Sequence, residues 1–474
     1  MRRSKIVCTL GPASSTEDQI RSLIRAGMNV VRINRSHGTQ TEHAEEISRV
    51  RRVASEFELP VAILVDLQGP KIRLGTFTEG AVYLDSGQTF IVTTRDVPGT
   101  SEIVSTTYTG LPGDCSIGDT LLLDDGNIVL RVKAVNATDV VTEVVVGGVV
   151  SDHKGLNLPG AAVSVPALTE KDTEDLRWAL TQEVDFIALS FVRKPADIDA
   201  VHAVMDEVGR RLPVLAKIEK PQAVEHLEEI VQAFDGIMVA RGDLGVEMPL
   251  EDVPTVQKQA IEMARSQAKP VIVATQVLES MIHNARPTRA EASDCANAVW
   301  DGASAVMLSG ETAVGEYPVQ TVETMARIIE AAEEHGTKHF AKIKDSELDW
   351  ESIIARHGLL IGQKTGAKYV AAFTDSGATA RQLARLRPTI PLLAFCYREE
   401  TRRQLALAWG ISAYMVELTG DRMYPLIHSA EDQLLRRGLV SEGDVAVYVG
   451  GLPLGRAGHT NSIRVHHVGS HEDI

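Results

Sequence analysis

The sequence predicts an α/β protein built on a TIM (β/α)8 barrel, with an inserted small β-barrel lid domain and a C-terminal doubly wound α/β domain. Three observations lead to this fold class. Eight short apolar runs alternate with helical patterns, a Val/Thr/Gly-rich stretch interrupts them after the third run, and α/β alternation resumes from about residue 345. The length of 474 residues fits about three domains of roughly 150 residues each.

The apolar runs have the length of strands and are rich in β-branched residues, as is typical of strands buried on both faces of a parallel sheet. They read KIVCTL (5–10), NVVRIN (29–34), VAILVD (61–66), DFIALS (185–190), PVLAKIE (213–219), GIMVAR (236–241), PVIVAT (270–275) and SAVMLS (304–309). Segments with helical periodicity and charged faces separate most of these runs, at 17–26, 40–57, 171–182, 195–209 and 252–267. Eight strand–helix units make one barrel, for which we expect the bounds 1–70 and 166–340.

Residues 71–165 lack helical periodicity and contain several short strand patterns. Asp125-Gly126 between two apolar runs indicates a hairpin. The insertion leaves the carboxyl end of the third barrel strand, which is the end where barrel active sites lie. We therefore expect residues 71–165 to form a β-rich lid.

Residues 345–474 return to α/β alternation, with strand patterns at 368–373, 391–395, 445–450 and 462–468. These units are too few for a second barrel, which favours an open doubly wound sheet. The segment Gly358–Thr365 approaches a Walker A loop but has the wrong spacing, so we interpret it as helix surface. Gly450–Gly455 lacks the GxGxxG spacing of a dinucleotide fold.

The charge of the chain limits its partners. The formal net charge is −16, which argues against nucleic acids and anionic membrane surfaces. A phosphorylated substrate would need a local basic pocket. The four cysteines lie far apart without a CxxC pair, which fits a reducing compartment, and no apolar run approaches the ~18 residues of a membrane span. We expect a cytoplasmic protein.

Every predicted barrel strand ends in polar residues, where a barrel active site would lie. They are Thr9, Arg32 with Asn34, Asp66, Ser190, Lys217 with Glu219, Arg241 with Asp243, Thr275, and Ser309 with Glu311. Chance explains part of this pattern, because strand ends also meet solvent. Eight polar ends with clustered charges favour a site.

Glu219 and Asp243 follow the fifth and sixth strands, which are neighbours in a barrel. Oxygen ligands without a nearby His or Cys favour Mg²⁺ or Mn²⁺ over zinc. The alternative is a pair of solvated loop acids. Lys217 favours the metal site, because a lysine within a strand needs a partner or a function. Arg32 and Arg73 offer guanidinium groups to phosphate oxygens.

Several motifs in order resemble those of the pyruvate kinase family, from Lys5 to the last strand. They are KIVCTLGPAS (5–14), GMNVVRINRSHG (27–38), DLQGPKIRLG (66–75), DHKGLNLPG (152–160), LAKIEKPQAV (215–224), GIMVARGDLGVE (236–247), ATQVLESM (274–281), RPTRAE (286–291) and AVMLSGETAVGEYP (305–318). The resemblance implies phosphoryl transfer from phosphoenolpyruvate to ADP. It also implies a homo-oligomer, as a tetramer.

The resemblance assigns roles to individual residues. Lys217 would neutralise charge on the phosphoryl group and the enolate, and Glu219 and Asp243 would hold Mg²⁺. Arg32 and Arg73 would bind the phosphoryl group. Gly242, Asp243 and Thr275 would bind the substrate carboxylate, with Ser190 also at the substrate. Thr275, Ser309 and Glu311 would lie near the face where the enolate is protonated. The nucleotide site is assigned to Thr9, Pro12, Asn34, His37, Arg73 and Lys154.

Two further sites follow from the resemblance. Asn34, Ser36 and Asp66 match a monovalent-cation site, with Arg35 where the family usually has an aromatic residue. Lys71 stands where potassium-dependent members carry Glu, so we expect that K⁺ is not required. In the last domain, a phosphorylated allosteric effector would bind Thr374, Ser376, Gly377 and Thr379, under a loop matching 450–460.

Two other functions fit parts of the pattern. A Mg²⁺-dependent lyase acting on a 2-oxo acid would keep Glu219 and Asp243 but would not need the lid or the nucleotide-site residues. A catalytically inactive, effector-binding protein would be expected to lack Lys217 or one of the acids, and the sequence has all three.

Overall fold

The computed structural model describes residues 2–160, 165–336, 339–341, 343, 349–418, 423–453 and 460–470. The chain begins with β1 (Lys5–Thr9), α1 (Glu17–Ala26), β2 (Val30–Asn34), α2 (Gln40–Glu56) and β3 (Ala62–Asp66). Thr16 and Thr39 cap α1 and α2, each in a reciprocal capping box with the third helical residue, which satisfies two otherwise free N–H groups per helix.

After β3 the chain leaves the barrel and forms the insertion, which is rich in strands. Its elements are β4 (Ala81–Leu84), β5 (Thr89–Thr93), β6 (Ile103–Ser105), α3 (Leu111–Asp114), β7 (Thr120–Leu123), β8 (Ile128–Val135), β9 (Asp139–Val146), β10 (Gly148–Ser151) and β11 (Leu156–Asn157). Six of its strands pair in the order β11-β7-β8-β9-β5-β6, and β4 pairs with β10. The hairpin predicted at Asp125-Gly126 joins β7 to β8, which are antiparallel.

The barrel resumes after the insertion. Its second part contains α4 (Glu170–Leu180), β12 (Phe186–Leu189), α5 (Asp197–Val208), β13 (Val214–Ile218), α6 (Pro221–Glu225), α7 (Leu227–Ala233), β14 (Gly236–Ala240), α8 (Arg241–Glu247), α9 (Val253–Ser266), β15 (Val271–Ala274), a 3₁₀ turn (Glu279–Ile282), α10 (Arg289–Asp301), β16 (Ala305–Leu308), α11 (Gly310–Ala313) and α12 (Pro318–His335).

The eight predicted strands close into one parallel barrel in the order β1-β16-β15-β14-β13-β12-β3-β2. All of the residues in β1, β3 and β12 to β16 are buried, which explains why the runs are almost continuously apolar. The barrel is confirmed. The insertion has its own apolar core, which includes Phe90, Leu121 and Leu130. The exact domain bounds remain predictions.

The last part contains α13 (Trp350–Thr365), β17 (Tyr369–Thr374), α14 (Ala378–Ala384), β18 (Leu392–Cys396), α15 (Glu399–Gln404), a 3₁₀ turn (Leu405–Leu407), β19 (Ile411–Met415), α16 (Met423–Arg436), β20 (Val445–Gly450) and β21 (Ser462–His467). Its strand order is β19-β18-β17-β20-β21, and only β21 is antiparallel. Buried side chains of α13 and α14 cover one face and those of α16 the other, as in a doubly wound sheet.

One smaller prediction is also confirmed. Residues 358–365 lie within α13 and form no phosphate loop. Among the helices that the structure describes, none is long and apolar enough to cross a membrane.

Candidate active site

The carboxyl ends of the barrel strands bring together the polar residues predicted from the sequence. Lys217, on β13, is the centre of this cluster. Its Nζ donates to Ser190 Oγ at 2.7 Å and lies 2.9 Å from Glu219 Oε1 and 3.3 Å from Asp66 Oδ1. The side chain is only 11% exposed. Three barrel strands therefore hold one ammonium group in place.

The charge of Lys217 is stabilised by its neighbours. Burial alone would lower the pKa of the Lys217 ammonium, but the carboxylates of Asp66, Glu219 and Asp243 outweigh burial and raise that pKa above its usual value. The group therefore stays protonated throughout the physiological range. A fixed, desolvated cation is suited to stabilising negative charge that develops during a reaction.

Arg32 on β2 forms the second cation of the cluster. Its Nε donates to Asp66 Oδ2 at 2.7 Å, and its Nη1 donates to Thr9 Oγ1 at 3.1 Å. Burial favours the neutral form of Asp66, but the charges of Lys217 and Arg32 outweigh it and lower the pKa of this carboxyl. Asp66 therefore holds both cations, with one oxygen facing each.

Glu219 and Asp243 form an acidic pair that could hold a metal ion. Burial raises the pKa of Glu219, and the charge of Asp243 raises it further, while Lys217 opposes both effects. A divalent cation between the two acids would relieve their mutual repulsion, and their oxygen atoms suit Mg²⁺ or Mn²⁺. The described residues contain no group of three His, Cys, Asp or Glu side chains placed for a metal, so water and substrate would complete the coordination.

The turn after β15 is strained. Thr275 has a φ of 67°, which is unfavourable for a β-branched residue. Its Oγ1 accepts a hydrogen bond from Gly242 N at 2.7 Å. Arg241 supports the turn, because its Nη2 donates to Thr275 O at 2.9 Å and its Nη1 contacts Asp294 at 2.7 Å. The structure thus brings Gly242 and Thr275 together, and their contact with a substrate carboxylate stays a prediction.

Ser309 and Glu311 follow β16. Glu311 is buried, and its carboxylate accepts hydrogen bonds from Ser309 N at 2.7 Å and Leu278 N at 3.3 Å. Burial raises the pKa of Glu311. Ser309 Oγ is also buried and has no hydrogen-bond partner within the described part of the chain. An unpaired buried hydroxyl is costly, which is typical of a group that a ligand completes.

Of the residues predicted for the nucleotide, His37 is exposed, whereas Thr9 is buried. Burial lowers the pKa of His37, and the charges of Arg73, Lys71 and Arg32 lower it further. Pro12 is exposed.

Within the insertion, Lys154 contacts Asp124 at 2.8 Å, while Arg73 Nη1 donates to His153 O at 3.0 Å. The structure therefore places Lys154 and Arg73 on the insertion, and their contact with a nucleotide stays a prediction.

Arg35 does not face the predicted cation site. Asn34 Oδ1 accepts from Ser36 N at 3.2 Å, whereas the side chain of Arg35 is buried against α4. There its Nη2 donates to Asp175 Oδ1 at 2.7 Å, and its guanidinium lies 4.9 Å from the ring centre of Trp178. Arg35 is therefore a packing residue between α4 and the turn after β2.

We expect Arg35→Ala to lower the free energy of unfolding by roughly 2–4 kcal/mol, because it breaks a buried ion pair and removes the packing on Trp178. Urea denaturation measures this change. Arg177→Ala is the matched control, because Arg177 lies on α4, as Asp175 does, and forms an exposed pair with Glu207 on α5; this substitution should cost less than about 1 kcal/mol. Equal stability of the two variants would contradict this role of Arg35.

The candidate effector loop joins β17 to α14. Thr374 Oγ1 accepts from Gly377 N at 2.9 Å, and Thr379 Oγ1 lies 2.7 Å from Thr460 Oγ1. Ser376 O accepts from Arg381 at 3.1 Å. Most of the loop predicted to cover this site, 454–459, lies outside the described residues.

Sequence reasoning missed several supporting groups. Phe191 N donates to Glu219 Oε2 at 2.7 Å, and Asp294 holds Arg241. It also did not foresee that Asp66, predicted as a cation ligand, contacts both Arg32 and Lys217. The only available signal for the contact with Glu219 was the position of Phe191 directly after a strand end. A backbone N–H donor is present in almost every residue, so the sequence does not identify it.

Comparisons with known proteins agree with this geometry. Residues 1–322 match the family model "Pyruvate kinase, barrel domain", and residues 353–466 match "Pyruvate kinase, alpha/beta domain". The pyruvate kinases of Mycobacterium intracellulare and Mycobacterium tuberculosis are each 52% identical to the chain, with 99% of both chains covered.

More distant relatives show the same similarity. A pyruvate kinase of Staphylococcus aureus is 42% identical over 99% of this chain and 81% of its own length. The crystal structure of a pyruvate kinase from Cryptosporidium parvum superposes with a TM-score of 0.92 at 33% identity, covering 98% of this chain and 96% of that one. These matches agree with a barrel whose strand ends carry the predicted cations and acids. The chain therefore belongs to the pyruvate kinase family and is a phosphotransferase.

Proposed function

We propose that the protein transfers the phosphoryl group of phosphoenolpyruvate to ADP, yielding pyruvate and ATP as the last step of glycolysis, with Mg²⁺ or Mn²⁺ as cofactor. The observation that carries this proposal is the ammonium of Lys217, held between Ser190, Asp66 and Glu219. Phosphoryl transfer needs positioning and charge stabilisation more than a covalent nucleophile, and this cluster offers both.

The transfer breaks the bond between phosphorus and the enol oxygen and forms a bond from phosphorus to a β-phosphate oxygen of ADP. Arg32 and Arg73 bind the phosphoryl oxygens, and Lys217 stabilises charge on the phosphoryl group and on the enolate that leaves. When bound to Glu219 and Asp243, the divalent ion supplies further positive charge.

The enolate then takes a proton on carbon to give pyruvate. The turn of Gly242, Asp243 and Thr275 holds the substrate carboxylate, with Ser190 also at the substrate, and Ser309 and Glu311 lie at the face where protonation occurs. Thr9, Pro12, Asn34, His37 and Lys154 contribute to the nucleotide site. These assignments follow the family motifs, and those of the substrate residues are also supported by their placement at or just after the barrel strand ends.

A lactate dehydrogenase-coupled assay tests the proposed function. Purified protein with phosphoenolpyruvate, ADP and Mg²⁺ should produce pyruvate, and omission of ADP should abolish it. Pyruvate formed without ADP would favour a lyase or a phosphatase. A folded protein without turnover would favour an inactive regulatory protein.

We expect full activity with Mg²⁺ alone, because Lys71 supplies a positive charge close enough to His37 to lower the pKa of that imidazole. An ammonium within roughly 4–6 Å of a K⁺ ion would repel it by about 1 kcal/mol or more. Lys71→Glu should therefore create K⁺ dependence, with at least roughly tenfold activation by KCl in tetramethylammonium buffer. Lys71→Met is the control for this variant, because it removes the ammonium without adding a carboxylate. Strong activation of the unaltered enzyme by KCl would contradict the role of Lys71, as would a K⁺-independent Lys71→Glu variant.

We also expect residues 71–165 to move as a rigid lid hinged near Pro70 and Pro166. Asn157 Nδ2 on the insertion donates to Glu247 Oε1 on the barrel at 2.8 Å, and Lys220 contacts the same oxygen at 2.6 Å. Lid opening would break the bond from Asn157. Structures with and without nucleotide should superpose on the barrel and differ by a rotation of the insertion. Equal superposition of both parts would contradict the hinge.

Regulation and assembly complete the proposal. A phosphorylated effector would bind Thr374, Ser376, Gly377 and Thr379, and Asp375 in the same loop disfavours highly charged bisphosphates. Asp375 contacts Arg398 at 3.1 Å, which reduces this penalty. We propose a cytoplasmic homotetramer without nucleic-acid or membrane partners.

A further inference from the structure

The turn between β2 and α2 lies beside the proposed nucleotide site, but several of its supports come from outside that site. Residues 35–38 form the turn, with Asn34 directly before it and Ser36 and His37 within it. One face of α4 packs against the turn. Residues three or four positions apart share a helix face, and those of α4 that contact the turn are Lys171, Asp175 and Trp178.

The contact of Arg35 with α4 is a buried ion pair. The side chain of Arg35 is only 4% exposed, as is that of Asp175, and its Nη2 donates to Asp175 Oδ1 at 2.7 Å. The guanidinium also lies against Trp178. Its Nε and Nη1 are buried and have no hydrogen-bond partner within the described part of the chain. The charge of Arg35 therefore depends on Asp175 for its compensation.

Asp175 is held in its charged form. Burial alone would raise the pKa of its carboxyl, but the hydrogen bonds and charges of Arg35 and Lys171 outweigh burial and lower that pKa. Lys171 Nζ lies 2.6 Å from Asp175 Oδ2 and also donates to Arg35 O at 3.0 Å. Asp175 thus holds the side chain of residue 35 directly and its backbone through Lys171.

The other end of the turn is held by α2. His43 on this helix is buried, and its Nε2 donates to His37 O at 2.8 Å, since a carbonyl oxygen can only accept. Gly38 has a φ of 73°, and a Cβ added to it would lie 2.9 Å from His43 Nε2. The turn is therefore closely packed at both ends.

Loss of the carboxylate at position 175 would displace this turn. An arginine side chain keeps its charge in a protein, so Arg35 cannot release a proton when its partner is removed. A buried charge without a partner is costly, and the guanidinium would move out into water. The backbone of residue 35 would turn with it and would displace Asn34 and Ser36, which flank it.

We propose that the Arg35–Asp175 ion pair is a positioning element for the nucleotide, because it holds Asn34 and His37 where ADP binds. Neither member of the pair needs to touch ADP, since the side chain of Arg35 is directed toward α4. The inference rests on the proposed function, which assigns Asn34 and His37 to the nucleotide site. It makes α4 a determinant of nucleotide affinity.

Isothermal titration calorimetry of the full chain with ADP and Mg²⁺, without phosphoenolpyruvate, measures nucleotide affinity in the absence of turnover. Asp175→Asn removes the charge of the carboxylate at nearly constant shape and leaves Arg35 unpaired. The dissociation constant for ADP should then rise about tenfold or more. When Arg35→Met is added, the buried charge is also removed, so the double variant should bind ADP within about threefold of the unaltered protein.

Lys171→Met is a milder second variant, which keeps the test possible if Asp175→Asn does not fold. The side chain of Lys171 is 52% exposed, so its replacement should leave the fold intact. Because the variant loses the hydrogen bond to Arg35 O, its dissociation constant for ADP should rise about threefold.

Asp185→Asn is the matched control. Asp185 is also a buried carboxylate that holds two arginines, Arg51 at 2.6 Å and Arg403 at 2.7 Å. It directly precedes β12, at the end of the barrel opposite to the active site, so this variant should lose stability but bind ADP normally. Binding of Mn²⁺ should stay within about twofold in every variant, because the acids proposed to hold it follow β13 and β14, across the barrel from β2.

Three results would overturn the proposal. They are unchanged ADP affinity in Asp175→Asn and Lys171→Met, an equal loss of affinity in the Asp185→Asn control, and a double variant that binds ADP no better than Asp175→Asn. If the unaltered protein bound no ADP, the proposed function would fail and this inference with it. Unaltered protein that binds ADP and forms pyruvate, together with variants of unchanged affinity, would refute this inference alone.

Discussion

A Lys217→Met variant is expected to keep its fold and to lose at least about 10²-fold in kcat, the usual scale for removal of a preorganised charge-stabilising group. Methionine has nearly the same shape as the aliphatic part of lysine but cannot donate to Ser190 Oγ or face Glu219 and Asp66. The phosphoryl group and the enolate would therefore lose their fixed cation. Steady-state kinetics with phosphoenolpyruvate and ADP measure this effect.

Lys5→Met is the matched control for Lys217→Met. Lys5 is also a buried lysine on a barrel strand, but it lies at the opposite end and donates to Ile411 O at 2.9 Å. Burial and the charge of Arg2 lower the pKa of Lys5 to about 8, whereas acids raise the pKa of Lys217. Lys5→Met should retain most of its kcat. Near-normal turnover in a folded Lys217→Met variant would contradict the catalytic role of Lys217.

A Glu219→Gln variant is expected to weaken Mg²⁺ binding at least about tenfold and to reduce kcat by at least about 10²-fold. The amide removes one of two carboxylates available to the ion. It also brings N–H donors close to Lys217 Nζ and Phe191 N, which contact the carboxylate in the unaltered protein. Electron paramagnetic resonance of bound Mn²⁺ measures the loss of affinity without reference to activity.

Glu333→Gln is the control for Glu219→Gln. Glu333 is a buried acid that accepts hydrogen bonds from Arg3 N at 2.8 Å and Ser4 N at 2.6 Å, and it lies outside the strand-end cluster. Its amide variant should lose stability but bind Mn²⁺ normally. If Glu219→Gln bound Mn²⁺ as tightly as this control, Glu219 would not be a ligand.

The barrel could be predicted from the sequence because each of its strands is buried on both faces. Runs such as VAILVD and GIMVAR therefore carry an almost continuous apolar signal, and the structure contains all eight. In the last domain, β19 (Ile411–Met415) and α16 (Met423–Arg436) were not predicted. The burial of β19 is interrupted, so the strand lacks such a signal.

The chemical identity of the site residues was predictable, but their contacts were not. A polar residue at a predicted strand end can be expected near the site. The partners of its side chain depend on how strands that are far apart in sequence pack together. Asp66 and Lys217 are far apart in sequence, yet their side chains lie 3.3 Å apart. Arg35 lies between Asn34 and Ser36, two residues of the predicted cation site, yet the structure packs its side chain against Trp178.

The most direct measurement of the central claim is ³¹P nuclear magnetic resonance of the protein with phosphoenolpyruvate, ADP and Mg²⁺. We predict that the phosphoenolpyruvate signal decreases while the γ-phosphate signal of ATP increases by the same amount, and that EDTA stops both changes. Release of inorganic phosphate without ATP, or no change in the phosphoenolpyruvate signal with folded protein, would contradict phosphoryl transfer to ADP.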